Sequence, residues 1–456
     1  MTELVSPSKV LTPLLLLAAI SLAATVMGAS SVSIIGVTLA GTILGLLMAS
    51  RYYILLASRM VDDAKFKRLI PEYMVEGTWY EVKFAIDYKR SIPLLLEIHE
   101  NTPPLVKVEP RLPRFNVIIS NTSGSSFSYK VKLPIGRHCF GKTKIIIRDP
   151  LGIFRAERNI EIEPSCISAY PKTALLRLPS SLLSLATNRF GGLTKTRKKG
   201  VGTEYYDTRE YRVGDEIKHI EWKATARTGK LMIKEFEMET ANYVFLIGLL
   251  GREMMAGPLG KTVFEYTARS IGAISKYLLD KGDYVGLLTW QPRETNLVRL
   301  KRGKKHHYEI LKTLGNLKWV TEEEPTVAAE VVDLLRKQIP TILPRDRVIV
   351  IVFASLVKDL WTDELIDFLF RVKMLKNDVI VIAPNPRFFE AEALSGLDAV
   401  IYKLKLIELV KETEAIRRKL LQKGVTVTEV GPRDYVETVL MQIEMMRQFM
   451  QGGSRG

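Results

Sequence analysis

No Asp, Glu, Lys or Arg occurs between Lys9 and Arg51, a gap of 41 residues. A single helix of that length would extend about 60 Å, twice the roughly 30 Å hydrocarbon core of a bilayer. Two helices with a tight turn fit better. The pattern predicts one over about Val10–Met27, a turn at Gly28-Ala29-Ser30-Ser31, and a second from Val32 to about Leu56. In its last turns and beyond lie Arg51, Arg59, Lys65, Lys67 and Arg68, against Asp62 and Asp63. A positive flank of this kind marks the cytoplasmic side. An even number of crossings then puts both chain ends in the cytoplasm. A cleaved signal peptide is the alternative for the first segment, and it leaves the second as an anchor with the same orientation.

Residues 1–50 hold only Glu3 and Lys9, so the chain's net charge of +16 belongs entirely to residues 51–456. A basic body suits nucleic acid, anionic lipid or an acidic protein. Cys139 and Cys166 cannot build a disulfide framework, and neither C-x-x-C nor H-E-x-x-H occurs. The expectation is no metal and no cofactor.

From about Tyr73 to Pro164 the period is two. Tyr80, Val82, Phe84, Ile86 and Tyr88 alternate with Glu81, Lys83, Ala85, Asp87 and Lys89, as Phe127, Tyr129, Val131 and Leu133 do with Ser128, Lys130 and Lys132. Such alternation makes strands with one buried face, and several short ones between turn residues suggest an all-β immunoglobulin-like sandwich. His138-Cys139 reads there as a packed core pair. Residues 171–200 read as a connector, with Gly191-Gly192 and the basic run Lys195, Arg197, Lys198 and Lys199.

After residue 240, strand-like runs (Tyr243–Leu250, Tyr284–Thr289, Val348–Phe353, Val379–Ala383, Ala399–Leu404, Val425–Val430) alternate with helical ones (Phe264–Leu279, Thr362–Leu375, Leu406–Gln422). That order predicts a Rossmann-like α/β domain, a parallel sheet covered on both faces, closed by a Met-rich helix over about Asp434–Met450. The loop Gly251–Thr262 ends in Gly260-Lys261-Thr262 but has Met255 where a phosphate-binding loop needs its first glycine. The adjacent His306 and His307 follow Arg299, Lys301, Arg302, Lys304 and Lys305. They make a poor metal pair, and no row of aromatics accompanies the cations as single-strand binding would need.

The densest polar stretch is Gly202–Glu239. Arg212-Val213-Gly214-Asp215 has turn chemistry, and Ile217–Arg227 has the spacing of a short helix closed by Gly229. A strand follows over Lys230–Glu239. Glu204, Arg209, Asp215, Glu221 and Arg227 crowd beside Trp222, either as an ion-pair network or as a polar docking surface.

This stretch resembles proteins carrying the domain of unknown function 58, whose signature runs approximately G-x-E…R-x-Y…G-D…I-D-W…A-R. The matching residues are Gly202, Glu204, Arg209, Tyr211, Gly214, Asp215, Ile220, Glu221, Trp222, Ala226 and Arg227, with Glu221 where the family usually has Asp. Asp149-Pro150-Leu151-Gly152-Ile153-Phe154 is similar to the family's D-P-F-G-L-F, and Tyr170-Pro171 also matches. The resemblance implies a von Willebrand factor A-like domain and a membrane-linked adaptor, often encoded beside a MoxR-type AAA+ ATPase. A metal-bearing domain of that type needs D-x-S-x-S after its first strand to offer oxygens to Mg²⁺. Leu249, Gly251 and Glu253 stand there instead, and Ala354-Ser355-Leu356 where a further Asp is often found. The site is degenerate.

The organisation expected is two transmembrane helices (1–60), a β-sandwich (70–165), a connector with the signature segment (166–240) and the α/β domain (241–456). The expected role is a multi-pass cell-membrane adaptor with cytoplasmic soluble domains, not an enzyme, with an AAA+ ATPase as partner. The alternatives are a nucleotide-dependent enzyme using Gly251–Thr262, or a basic-surface lipid or nucleic-acid binder, for which steep salt dependence would be the sign.

Overall fold

The computed structural model describes residues 5–27, 30–88, 92–111, 113–119, 125–172, 199–237, 241–320, 327–385, 389 and 397–452. Of residues 199–207 and 397–409 it describes the backbone alone. The chain divides into two compact units, residues 1–170 with 315–317, and the remainder.

The first unit begins with a helical hairpin, α1 (Leu11–Met27) and α2 (Ser30–Asp63). Much of its aliphatic surface faces outward: Leu16, Ile20, Val26, Ile34, Ile35 and Met48 are all exposed. Residues 34–63 form one helix long and apolar enough to cross a membrane. It outruns the expected end at Leu56 because its last turns enter a protein core, where Ile54, Ala57 and Val61 are buried.

That core lies between two antiparallel sheets. One has the order β1-β11-β10-β5-β7, comprising β1 (Val5–Pro7), β11 (Phe154–Ile160), β10 (Thr143–Arg148), β5 (Leu94–His99) and β7 (Arg114–Ile119). The other is β2-β4-β8-β6, comprising β2 (Lys65–Leu69), β4 (Trp79–Asp87), β8 (Ser125–Lys132) and β6 (Lys107–Glu109). The period-two reading holds on β4, where Val82, Phe84 and Ile86 are inside. The short strand before α1 was not legible from the sequence; it pairs with β11 through Val5↔Ala156 and Pro7↔Phe154. A small third sheet joins β3 (Met74–Val75), β12 (Cys166–Tyr170) and β9 (Gly136–Cys139).

Here the structure corrects the reading of His138-Cys139. His138 is buried, with Nε2 against the Pro134 carbonyl at 2.9 Å, and burial pushes its pKa down. Cys139 is exposed and disulfide-bonded to Cys166, its partner in the β9–β12 register. On a strand, neighbours point to opposite faces, so His138 and Cys139 cannot share one core. Arg68 and Glu100 form a fully buried ion pair, with the guanidinium also donating to the Ile162 and Pro164 carbonyls.

The second unit is built on a six-stranded sheet of order β17-β16-β15-β18-β19-β20. Its members are β15 (Tyr243–Leu249), β16 (Tyr284–Gln291), β17 (Glu294–Lys301), β18 (Val348–Phe353), β19 (Asp378–Pro384) and β20 (Thr426–Val430). All pairs are parallel except β16–β17. Alternate residues of β15 and β18, Phe245, Ile247, Val350 and Val352, share a core with Val331, Leu335, Leu365, Leu369, Ile416 and Leu420 from helices on one face. On the other face Thr267 meets the buried Tyr435 hydroxyl at 2.9 Å.

Two expectations fail in this sheet. Ala399–Leu404 is no strand but part of the helix Leu397–Gln422. That stretch has no Gly or Pro to stop a helix, so its β-branched residues are carried along. The edge strand β17 was not expected, because its charged residues hide the alternation.

Candidate functional site

The signature segment folds as a hairpin of β13 (Lys199–Glu210) and β14 (Met232–Glu237), capped at one end by its own connection. The connection starts with a tight turn in which the Asp215 amide donates to the Arg212 carbonyl at 3.0 Å. Gly214 sits there at φ +107, a conformation side chains disfavour. A single 3-10 turn follows (Ile217–His219), then the helix α3 (Trp222–Thr228). Gly229, at φ +69, ends α3 as a left-handed cap donating to the Thr225 carbonyl. The Tyr211 amide donates to the Leu231 carbonyl at 2.8 Å and the Glu221 amide to that of Met232 at 2.9 Å. Ile220 bridges Ile233, and both are buried.

Arg209 and Asp215 form a bidentate pair, both N···O distances 2.7 Å. The same carboxylate accepts from the Arg212 amide at 2.8 Å. These bonds, the Arg209 pair first, hold the Asp215 pKa down at about 2. Glu221 does not join this pair and is not bridged by Arg227. It pairs with Lys234 at 2.7 Å, because the antiparallel register brings β14 beside it. Arg227 is exposed on the last turn of α3. Gly202 lies on the β13 backbone, and the side chain of Glu204 is outside the described residues.

The outer surface of this end is apolar as well as charged. Trp222 is 67% exposed, Ile217 70%, and Val213 and Leu231 are also exposed. Single exposed aliphatics are ordinary. Here one connection carries four exposed apolar side chains and the exposed Arg212, Lys218, Lys223 and Arg227, the composition of a surface that a protein can cover.

The carboxyl end of the parallel sheet is the other place to look for chemistry. The chain passes from β15 to β16 on one side and returns to β18 on the other, so the switch point lies between β15 and β18. Leu249, Leu250, Met254 and Ala354 are fully buried there. Ser355 donates its hydroxyl to the Met254 sulfur at 3.1 Å and accepts from Trp361 Nε1 through its carbonyl at 2.9 Å. Thioether and aliphatic side chains pack at this switch point, with the Ser355 hydroxyl among them. Among the described residues no group of three or more His, Cys, Asp or Glu is placed to hold a metal.

In the loop Gly251–Thr262, the Thr262 hydroxyl accepts from the Glu265 amide at 3.2 Å, while Glu265 Oε2 accepts from the Thr262 amide at 3.1 Å. This is a reciprocal cap on the helix α4 (Val263–Asp280), so the hydroxyl that a phosphate loop would turn to Mg²⁺ is engaged. His306 is buried against the Val285 carbonyl at 2.8 Å, and His307 meets that of Gly272 at 3.0 Å. Each ring packs within the fold, and burial lowers the pKa of His307.

No curated protein matches the chain significantly. Residues 207–386, from the end of β13 through β19, match the family described as "Protein of unknown function DUF58". The match takes in the Arg209–Asp215 clamp, the exposed apolar connection and the first four parallel strands of the sheet. Residues 207–386 of this chain are therefore a DUF58 family domain.

Proposed function

We propose that this protein is a multi-pass membrane-anchored adaptor without catalytic activity, whose DUF58 domain docks a partner protein. The family resemblance implies a MoxR-type AAA+ ATPase as that partner. In this reading the first unit carries an immunoglobulin-like sandwich, and the second is a von Willebrand factor A-like domain whose metal-ion site is degenerate at Leu249, Gly251 and Glu253. The observation that carries the docking is the rigid connection at the end of the β13–β14 hairpin. It is clamped by Arg209 and Asp215 and presents Trp222 and Ile217 outward. Interfaces draw most of their affinity from a few such aromatic anchors. The test is co-purification from solubilised membranes with wild type and Trp222→Ala.

The hairpin supports anchoring, and its positive flank favours cytoplasmic soluble domains. A second reading rests on the Cys139–Cys166 disulfide, a bond typical of oxidising compartments, which would put the first unit outside. Biotinylation of lysines with a membrane-impermeant reagent separates the two. Labelling only after cell lysis supports the cytoplasmic placement, and labelling of intact cells overturns it.

A further inference from the structure

The loop between β10 and β11, Asp149–Phe154, lies at the root of the hairpin. The Ser8 amide donates to the Ile153 carbonyl at 2.9 Å, and buried Ile153 shares a small core with Ile43 and Leu47 of α2 and Leu11 and Leu14 of α1. The legs from these contacts to the hairpin turn are short. The 17 residues of α1 extend about 26 Å, close to the roughly 30 Å hydrocarbon thickness. A hairpin that spans a bilayer thus brings this loop to the bilayer's edge.

One carboxylate holds the loop at two amides, and one apolar side chain is exposed. Buried Asp149 accepts from the Leu151 amide at 3.1 Å and the Phe154 amide at 2.7 Å, while the Leu151 side chain is 51% exposed. Three cations lie on the segments that meet at this root. Lys9 leads into α1, and Arg51 lies on α2 between Leu47, in the small core, and Ile54, in the sandwich core; both are exposed. Arg155 stands opposite Arg148 in the β10–β11 register, a pairing of like charges that costs stability unless compensated. Arg148 has Glu97. Arg155 has the Ser6 hydroxyl at 3.0 Å, and among the described residues no carboxylate pairs with it.

We infer that the first unit is seated on the bilayer, with Leu151 inserted at the boundary between headgroups and acyl chains and Lys9, Arg51 and Arg155 contacting anionic lipid headgroups. The inference rests on the reading of α1–α2 as a spanning hairpin. An exposed apolar side chain with cations on the neighbouring segments binds anionic membranes through both terms together. The seat would fix the orientation of the β-sheets relative to the membrane, which a flexible tether would leave free.

Both native cysteines are joined, so an introduced cysteine is the chain's one free thiol. Full-length Leu151→Cys, Leu44→Cys and Leu69→Cys would each be labelled with bimane and placed in bilayers carrying bromine on the acyl chains. Leu44 is an exposed residue of α2. Leu69 is exposed at the end of β2 remote from the hairpin, next to Arg68, whose amide meets Glu163 beyond the far end of β11. The expected result is about twofold or greater quenching at 151 and 44 but not at 69. Quenching at 151 should be stronger with phosphatidylglycerol than with phosphatidylcholine alone, and weakened by Arg155→Glu or Lys9→Glu. Quenching at 44 without quenching at 151 overturns the seat and leaves the hairpin standing. Quenching at 151 that ignores both lipid charge and the two substitutions overturns the headgroup contact. No quenching at 44 overturns the hairpin reading and the seat with it.

Discussion

Asp215 is where a single side chain does most in the DUF58 segment, because it closes a turn and an ion pair at once. Its folded pKa of about 2 lies below the ordinary 3.8, so its stabilisation is present above pH 3.8 and is lost as pH falls toward 2. In urea unfolding against pH, wild type should outlast Asp215→Asn at neutral pH, and the two midpoints should converge as pH approaches 2. A constant gap across that range would show that the charge is not the source. In the sequence Arg209 and Asp215 stand only as two of five charged residues, an ion-pair network or a docking surface; the local turn between them brings these two together. The partner of Glu221 was not legible: Lys234 reaches it only through the β13–β14 register. For the same reason, the pairing of Cys139 and Cys166 follows from the register of β9 and β12, which spacing alone does not fix.

At the scale of elements, buried strands and the charge-free stretch between Lys9 and Arg51 were plain in the sequence, since burial on both faces leaves continuous apolar runs. The elements missed were those that tertiary context decides. β1 is three residues long and exists by pairing with β11. β17 carries charge because it is an edge. The extra turns of α2 form because the β-sheets cover Ile54 and Val61. The start of α4 is the opposite case, a local cap at Thr262 with Glu265 three residues on. Thr262→Ala removes the hydroxyl acceptor and should lower the stability of the second unit by about 1 kcal/mol, read by chemical unfolding, without changing the fold seen by circular dichroism. A loss of several kcal/mol would mean that the loop Gly251–Thr262 has a wider structural role than capping.

For the whole molecule, the helical hairpin and the β-sheets of the first unit share a core, so the apolar helices are part of that unit's fold. The second unit pairs a parallel sheet filled by apolar side chains at its switch point with a rigid, apolar and basic connection on its surface. Co-purification from detergent-solubilised membranes, comparing wild type with Trp222→Ala and identifying partners by mass spectrometry, tests the adaptor reading most directly. The account predicts an AAA+ ATPase recovered with wild type and lost with a folded Trp222→Ala. Recovery of the ATPase undiminished with the variant would contradict docking through the connection, and recovery of the wild-type chain alone would contradict the adaptor role itself.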